Sequence, residues 1–123
     1  MNFETILVEN NEGIVTISMN RPDRLNAWTR KMGAEMEAVI ALGNKDPGID
    51  AFIVTGSGRG FCAGADVKDL FHAESVSGEA GSEDGSGDWV SWIRSSKPVV
   101  AAINGAAIGV GLTQVLPMDF IIA

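Results

Sequence analysis

The sequence predicts an α/β fold built as a mostly parallel sheet with covering helices, and three observations carry that expectation. Short runs rich in β-branched residues alternate with helix-period stretches in the order β-β-α-β-α-α-β-α-β. Two of the runs, residues 51–55 and 99–103, are continuous apolar stretches typical of strands buried on both faces. Hydrophobic residues make up 46% and charged residues 20% of the 123, enough to build one core and unlike a disordered tail.

Residues 5–9 and 13–19 read as the arms of a β-hairpin, with the Asn10-Asn11-Glu12-Gly13 run supplying the turn. Pro22 ends the second arm, because it lacks a donor and biases its predecessor away from helix. Asn26 is the expected cap of a helix running to about Leu42, with Trp28, Met32, Met36, Val39 and Ile40 on its core face and Arg30, Lys31, Glu35 and Glu37 opposite. Strand 51–55 follows the Asp46-Pro47-Gly48 stop, and a glycine-rich turn follows the strand. Asp66 caps a short helix through Phe71, and Asp88 caps another carrying Trp89, Ile93 and Arg94. Lys97-Pro98 ends that helix before strand 99–103. Beyond Asn104-Gly105 and Gly109-Val110-Gly111, a short apolar helix stops near Pro117 and residues 119–123 begin another strand.

With 9 basic against 16 acidic residues the net charge is −7, which argues against a nucleic-acid backbone or an anionic membrane surface as partner. Residues 74–88 hold five of the acids, four Ser, four Gly and no base. Without them eleven acids face nine bases, a net of −2. That stretch reads as a flexible acidic loop within a single domain spanning 1–123, since it buries too little apolar surface to offset its ordering entropy. No apolar run approaches the ~18 residues of a membrane span. The acidic N-terminus lacks the basic start of a secretory signal and the single cysteine, Cys62, has no partner, so the expected location is cytoplasmic.

Two glycine-rich turns, each after an apolar strand, are expected to lead into helices and present backbone N–H groups to one spot, an arrangement that binds an anion or stabilises a developing oxyanion. The first also matches a loose dinucleotide fingerprint, Gly58-x-Gly60-x-x-Ala63. The acid expected about 20 residues on falls at Glu79, inside the acidic loop, and no P-loop Lys-Ser/Thr follows either turn. Cys62 reads as a small buried hydrophobe and His72, the only histidine, as a surface residue. With one His, one Cys and no clustered carboxylates, no metal site is expected.

Residues 20–27 (NRPDRLNA), 60–67 (GFCAGADV) and 97–105 (KPVVAAING) together resemble the crotonase superfamily, which includes the enoyl-CoA hydratases and enoyl-CoA isomerases. The resemblance covers nearly the whole chain and implies a crotonase-like fold of ββα-type repeats. It implies an enzyme of fatty-acid metabolism that binds acyl-CoA and stabilises a thioester enolate in a hole of two backbone N–H groups. No cofactor is implied beyond coenzyme A as part of the substrate. By position the donors are Ala65 and Val110, the latter where the family commonly has glycine, and the CoA contacts are Arg24, Leu25, Ala27, Ala63, Ala65, Asp66 and Val67.

The hydratases carry a Glu two residues after the last glycine of the second loop, and here Thr113 stands there, followed by Gln114. Threonine is no general base at neutral pH, so one-acid, isomerase-like chemistry is favoured over two-Glu hydration. Asp119 matches the family's structural Asp at a strand start. Family members are about twice as long and form trimers or hexamers. The expectation is therefore an incomplete fold, truncated before its acid/base residue and inactive alone. A non-catalytic acyl-CoA-binding or assembly subunit is the alternative, and a dinucleotide-binding half-domain a third reading.

Overall fold

The computed structural model describes residues 2–69 and 86–123, the backbone alone at 86–88. Strands β1 (Ile6–Asn11) and β2 (Ile14–Met19) form the expected hairpin. Its turn is tighter than the four-residue run suggested: Asn11 pairs with Ile14, leaving Glu12 and Gly13 as the whole connection. Both sit at positive φ, 53° and 91°, the backbone of a type I′ turn whose twist matches the flanking strands.

Asn26 does not cap the helix that follows. Pro22–Arg24 first make a single 3-10 turn, and Leu25 and Asn26 then adopt left-handed φ values of 50° and 57°, which no α-helix can continue. Helix α1 (Arg30–Lys45) begins four residues later, where Thr29 accepts from the Met32 N–H. Trp28 therefore stands ahead of the helix rather than on its core stripe. The ring lies against Gly33, where an added Cβ would come within 2.9 Å of it. The helix also outruns Leu42 by a turn. Lys97 ties down its end: the ammonium donates to the carbonyls of Gly43, Asp46 and Ile49 at 2.9, 2.6 and 2.6 Å, in the last turn and just beyond it.

Strands β3 (Ala51–Gly56), β4 (Val99–Ala102) and β5 (Phe120–Ile122) extend the sheet in the order β1-β2-β3-β4-β5, with β1 antiparallel to β2 and every later pairing parallel. Burial departs from the expectation of two covered faces. Phe52, Val54, Val99 and Ala101 are fully buried, whereas Ile53, Thr55, Val100 and Ala102 on the other face are half-covered, and β5 is exposed throughout. Helix α2 spans Ser86–Ser95, so Asp88 lies inside it and not at its cap, and 86–88 belong to the helix rather than to the acidic loop. The remainder of that loop, 74–85, lies outside the described residues, as do Leu70 and Phe71, the end expected for the helix that Asp66 starts. The last helix, α3, is one turn, Val110–Thr113.

One core unites these elements. Met32, Met36, Val39 and Ile40 of α1 join Val15, Ile17 and Met19 of β2, Phe52 and Val54 of β3, Ile93 of α2 and Val115. Burying each large side chain contributes about 1.5–3 kcal/mol relative to leaving it exposed. The core fixes one face of the sheet, and the loops at the C-terminal ends of β2, β3 and β4 are thereby set beside one another.

Candidate functional site

Those loops are joined by backbone. Ala63 donates to the Leu25 carbonyl at 3.0 Å, Trp28 to the Gly64 carbonyl at 2.7 Å and Asp66 to the Trp28 carbonyl at 2.7 Å. On the other flank Phe61 and Cys62 donate to the Ala106 carbonyl at 3.1 and 3.0 Å, and Ile108 donates to the Cys62 carbonyl at 3.0 Å. Trp28 thus pairs with Ala65 and Cys62 with Ala107, both in parallel sense. The three motifs form one small layer above the main sheet, with 61–66 at its centre.

Asn26, fully buried, braces this layer from below. Its Oδ1 accepts from the Arg21 N–H at 2.8 Å, and its Nδ2 donates to the carbonyls of Ser57 and Gly60, each at 2.9 Å. Arg21 then reaches across to the Asp66 carboxylate at 2.9 Å and to the Ala27 carbonyl at 2.7 Å. Asp66 Oδ1 accepts from the N–H groups of Lys68 and Asp69, the cap expected of it. The Asp69 and Lys68 amides and the Arg21 guanidinium hold the Asp66 carboxyl below its ordinary 3.8. Two glycines make the layer possible by close approach: a Cβ at Gly105 would lie 2.0 Å from the Arg59 carbonyl oxygen, and one at Gly111 2.1 Å from that of Cys62.

A cleft of about 500 Å³ opens beside the layer, lined by α1 residues from Arg30 to Glu37, by Trp28, Ala65, Asp66 and Asp69, and by Trp89, Val90, Val110, Thr113 and Gln114. Ala65, Asp66, Val110 and Thr113, singled out from sequence, are brought together there. Among the described residues, neither the Ala65 nor the Val110 backbone N–H donates to another backbone oxygen. Val110 is the first residue of α3 and Thr113 the last, both on the cleft side. Trp28 and Trp89 meet edge to face, centroids 6.2 Å apart, and form an aromatic wall.

The other expected contacts lie off the cleft walls. Arg24 is exposed at the end of the 3-10 turn, and Val67 is exposed as well. Leu25, Ala27 and Ala63 are half-buried and held through their backbone groups. The dinucleotide reading fails on geometry. The run Gly58–Ala63 leads into the bridged segment and not into a helix, and the first helical residue is Val67, so no helix start stands at the turn. This also corrects the expectation of a helix directly behind each glycine-rich turn. Cys62 is fully buried, and burial pushes its thiol up while the Gly64 and Trp28 amides oppose the rise. It is no nucleophile at neutral pH. His72 lies outside the described residues. Asp119 accepts from the Val99 N–H at 2.9 Å, joining β5 to β4 as a structural carboxylate.

Sequence reasoning missed Arg21, Asn26 and Trp28 as parts of the site. Arg21 and Asn26 stand within a quoted motif, but which side chains of a motif turn inward depends on the left-handed turn at Leu25 and Asn26.

Residues 9–123 match the enoyl-CoA hydratase/isomerase family model. The chain belongs to that family. It is 35% identical over 123 residues to a protein of Rhizobium meliloti named as a probable enoyl-CoA hydratase, covering all of this chain and 47% of that one. It is 35% identical to the 1,2-epoxyphenylacetyl-CoA isomerase of Escherichia coli, covering 98% of this chain and 48% of the relative. Among solved structures it resembles Pseudomonas aeruginosa AtuE with a TM-score of 0.87 and 31% identity, covering 96% of this chain and 47% of that one. The chain thus spans about half the length of the relatives it matches, and its sheet and helices correspond to about half of a crotonase fold. No helix among the described residues is long and apolar enough to cross a membrane.

Proposed function

We propose that this chain supplies the CoA-binding loops and the oxyanion donors of an acyl-CoA enzyme, with chemistry of the isomerase type. The observation that carries the reading is the pair of N–H groups, Ala65 and Val110, on one cleft with no backbone acceptor among the described residues. A proton next to a thioester carbonyl is weakly acidic, so its removal places charge on the thioester oxygen. Two fixed donors lower the energy of that enolate, and one such donor is worth about 3 kcal/mol in the transition state. In isomerisation a carboxylate takes the proton from one carbon, the electron pair moves through the enolate, and the same group returns the proton two carbons away.

Thr113 lines the cleft where the hydratases carry their first Glu, and it cannot take that proton at neutral pH. The proton carrier is placed beyond residue 123. Arg24, Leu25, Ala27, Ala63, Asp66 and Val67, with Ala65, are proposed to follow the CoA moiety, Arg24 meeting a phosphate. No cofactor is invoked beyond the CoA of the substrate. The 1–123 unit is taken as one crotonase-like domain of a cytoplasmic homotrimer or hexamer.

The test is turnover of 2-enoyl- and 3-enoyl-CoA by the complete protein. Interconversion of the two supports the reading, and activity on neither overturns it. Thr113 also favours a second reading, an acyl-CoA-binding or assembly subunit without catalysis. Tight CoA binding with no change in any thioester would select it.

A further inference from the structure

Gln114 follows α3 directly, donating its N–H to the Val110 carbonyl at 3.0 Å, and is only 3% exposed. Its backbone carbonyl is satisfied by Trp89 Nε1 at 2.9 Å. Its side-chain amide is only half satisfied. Nε2 donates to Met19 Sδ at 3.8 Å, and the buried Oε1 has no hydrogen-bond partner among the described residues. A buried carbonyl oxygen left this way keeps its full desolvation cost unless a donor arrives from outside the fold. Gln114 is among the residues that line the cleft, next to Thr113 and one helical turn on from Val110.

A water could supply that donor only with about two to four polar partners of its own. Beside the aromatic wall the lining carries the charged side chains of Arg30, Glu37, Asp66 and Asp69, and Thr113 holds the hydroxyl next to Gln114 in the chain. Two further polar features bear on a thioester. The N–H groups of Ala65 and Val110 call for an acceptor, and Gln114 Oε1, buried in the cleft wall, calls for a donor. A thioester with a plain hydrocarbon tail has the acceptor alone.

We infer that Gln114 is a specificity-determining residue, its Oε1 accepting from a hydroxyl on the acyl chain just beyond the carbons that react. This rests on the acyl-CoA reading above and names the substrate class: hydroxylated acyl thioesters, with the aromatic wall against the chain itself. A site built around a hydrogen-bonding group rejects the analogue that lacks it, because the buried polar atom is then left unpaired.

The test uses the complete wild-type protein with hexenoyl-CoA and with its counterpart hydroxylated on the fifth carbon. Wild-type kcat/KM is expected to favour the hydroxylated thioester by about tenfold or more. Gln114→Leu is expected to erase or invert that ratio. Affinities of the wild type for the two saturated analogues read the same preference without any variant, so a misfolded Gln114→Leu leaves the question decidable. Equal kcat/KM and equal affinity for the two ligands overturn the inference while leaving the acyl-CoA reading standing. Neither binding nor turnover of either thioester overturns both.

Discussion

Asn26 Nδ2 donates to the Gly60 carbonyl at 2.9 Å across a buried gap of 34 residues, joining the first motif to the second. Its other two partners, the Arg21 N–H and the Ser57 carbonyl, are peptide groups as well. Truncation to Asn26→Ala leaves three backbone groups without this partner in the interior. The expected loss is about 3 kcal/mol of stability in the complete protein, read from the denaturant midpoint. A loss below about 1 kcal/mol would show that the brace is dispensable.

Arg21 and Asp66 form a second side-chain tie between the same two motifs. The folded carboxyl titrates below its unfolded value of 3.8, so the stability it adds is fully present above that pH and is lost as pH falls through the folded value. Asp66→Asn should cost about 1 kcal/mol at neutral pH, a partly solvated pair being worth no more. Melting temperatures of the variant and wild type should converge as pH falls through the folded value. A gap that stays constant from pH 7 to acid would remove the ion pair from the explanation.

At Gly111 the obstacle is backbone. A methyl group there would stand 2.1 Å from the Cys62 carbonyl oxygen, which no side-chain rotation relieves. Gly111→Ala should lower stability by about 2 kcal/mol or more, a cost typical of forced overpacking, and raise KM by parting the two loops. Thermal unfolding together with steady-state kinetics checks both effects.

Val110→Pro removes one proposed oxyanion donor while keeping an acceptable residue at the first position of a helix. In a variant whose circular dichroism matches the wild type, kcat should fall by about 100- to 1,000-fold with CoA affinity little changed. Unaltered kcat in a folded variant would take Val110 out of the site.

Cys62 offers a control on the fold itself. Its full burial and raised thiol predict labelling by a thiol reagent on the order of 100-fold slower in the native protein than in denaturant. Rapid native labelling would mean that the central loop opens far more readily than its hydrogen bonds suggest.

The order of elements along the chain and the two glycine-rich turns at strand ends are legible in the sequence. Runs such as 51–55 and 99–103 have one dominant local solution, and the Gly-rich turns sit at their ends. The start of α1 is not legible from Asn26, because its amide serves distant peptide groups instead of the nearby helix, and only the tertiary fold reveals those partners. Gln114 reads from sequence as a neighbour of the altered Thr113; its orphaned oxygen appears only once Met19 and Trp89 have closed around it. The half-covered outer face of β3 is hidden for a related reason, since residues 51–55 look the same whether one face or both are packed.

In the main sheet, each strand adds beside the strand that precedes it in the chain, from β1 to β5. A ribosome delivers residues in that same direction, so each of these five strands after the first meets a template already synthesised. The hairpin, closed by two residues, can form first, and later pairings need only the intervening α1 or α2 segment to fold back. The sheet can grow by apposition at its C-terminal edge, one strand at a time, in the order of translation.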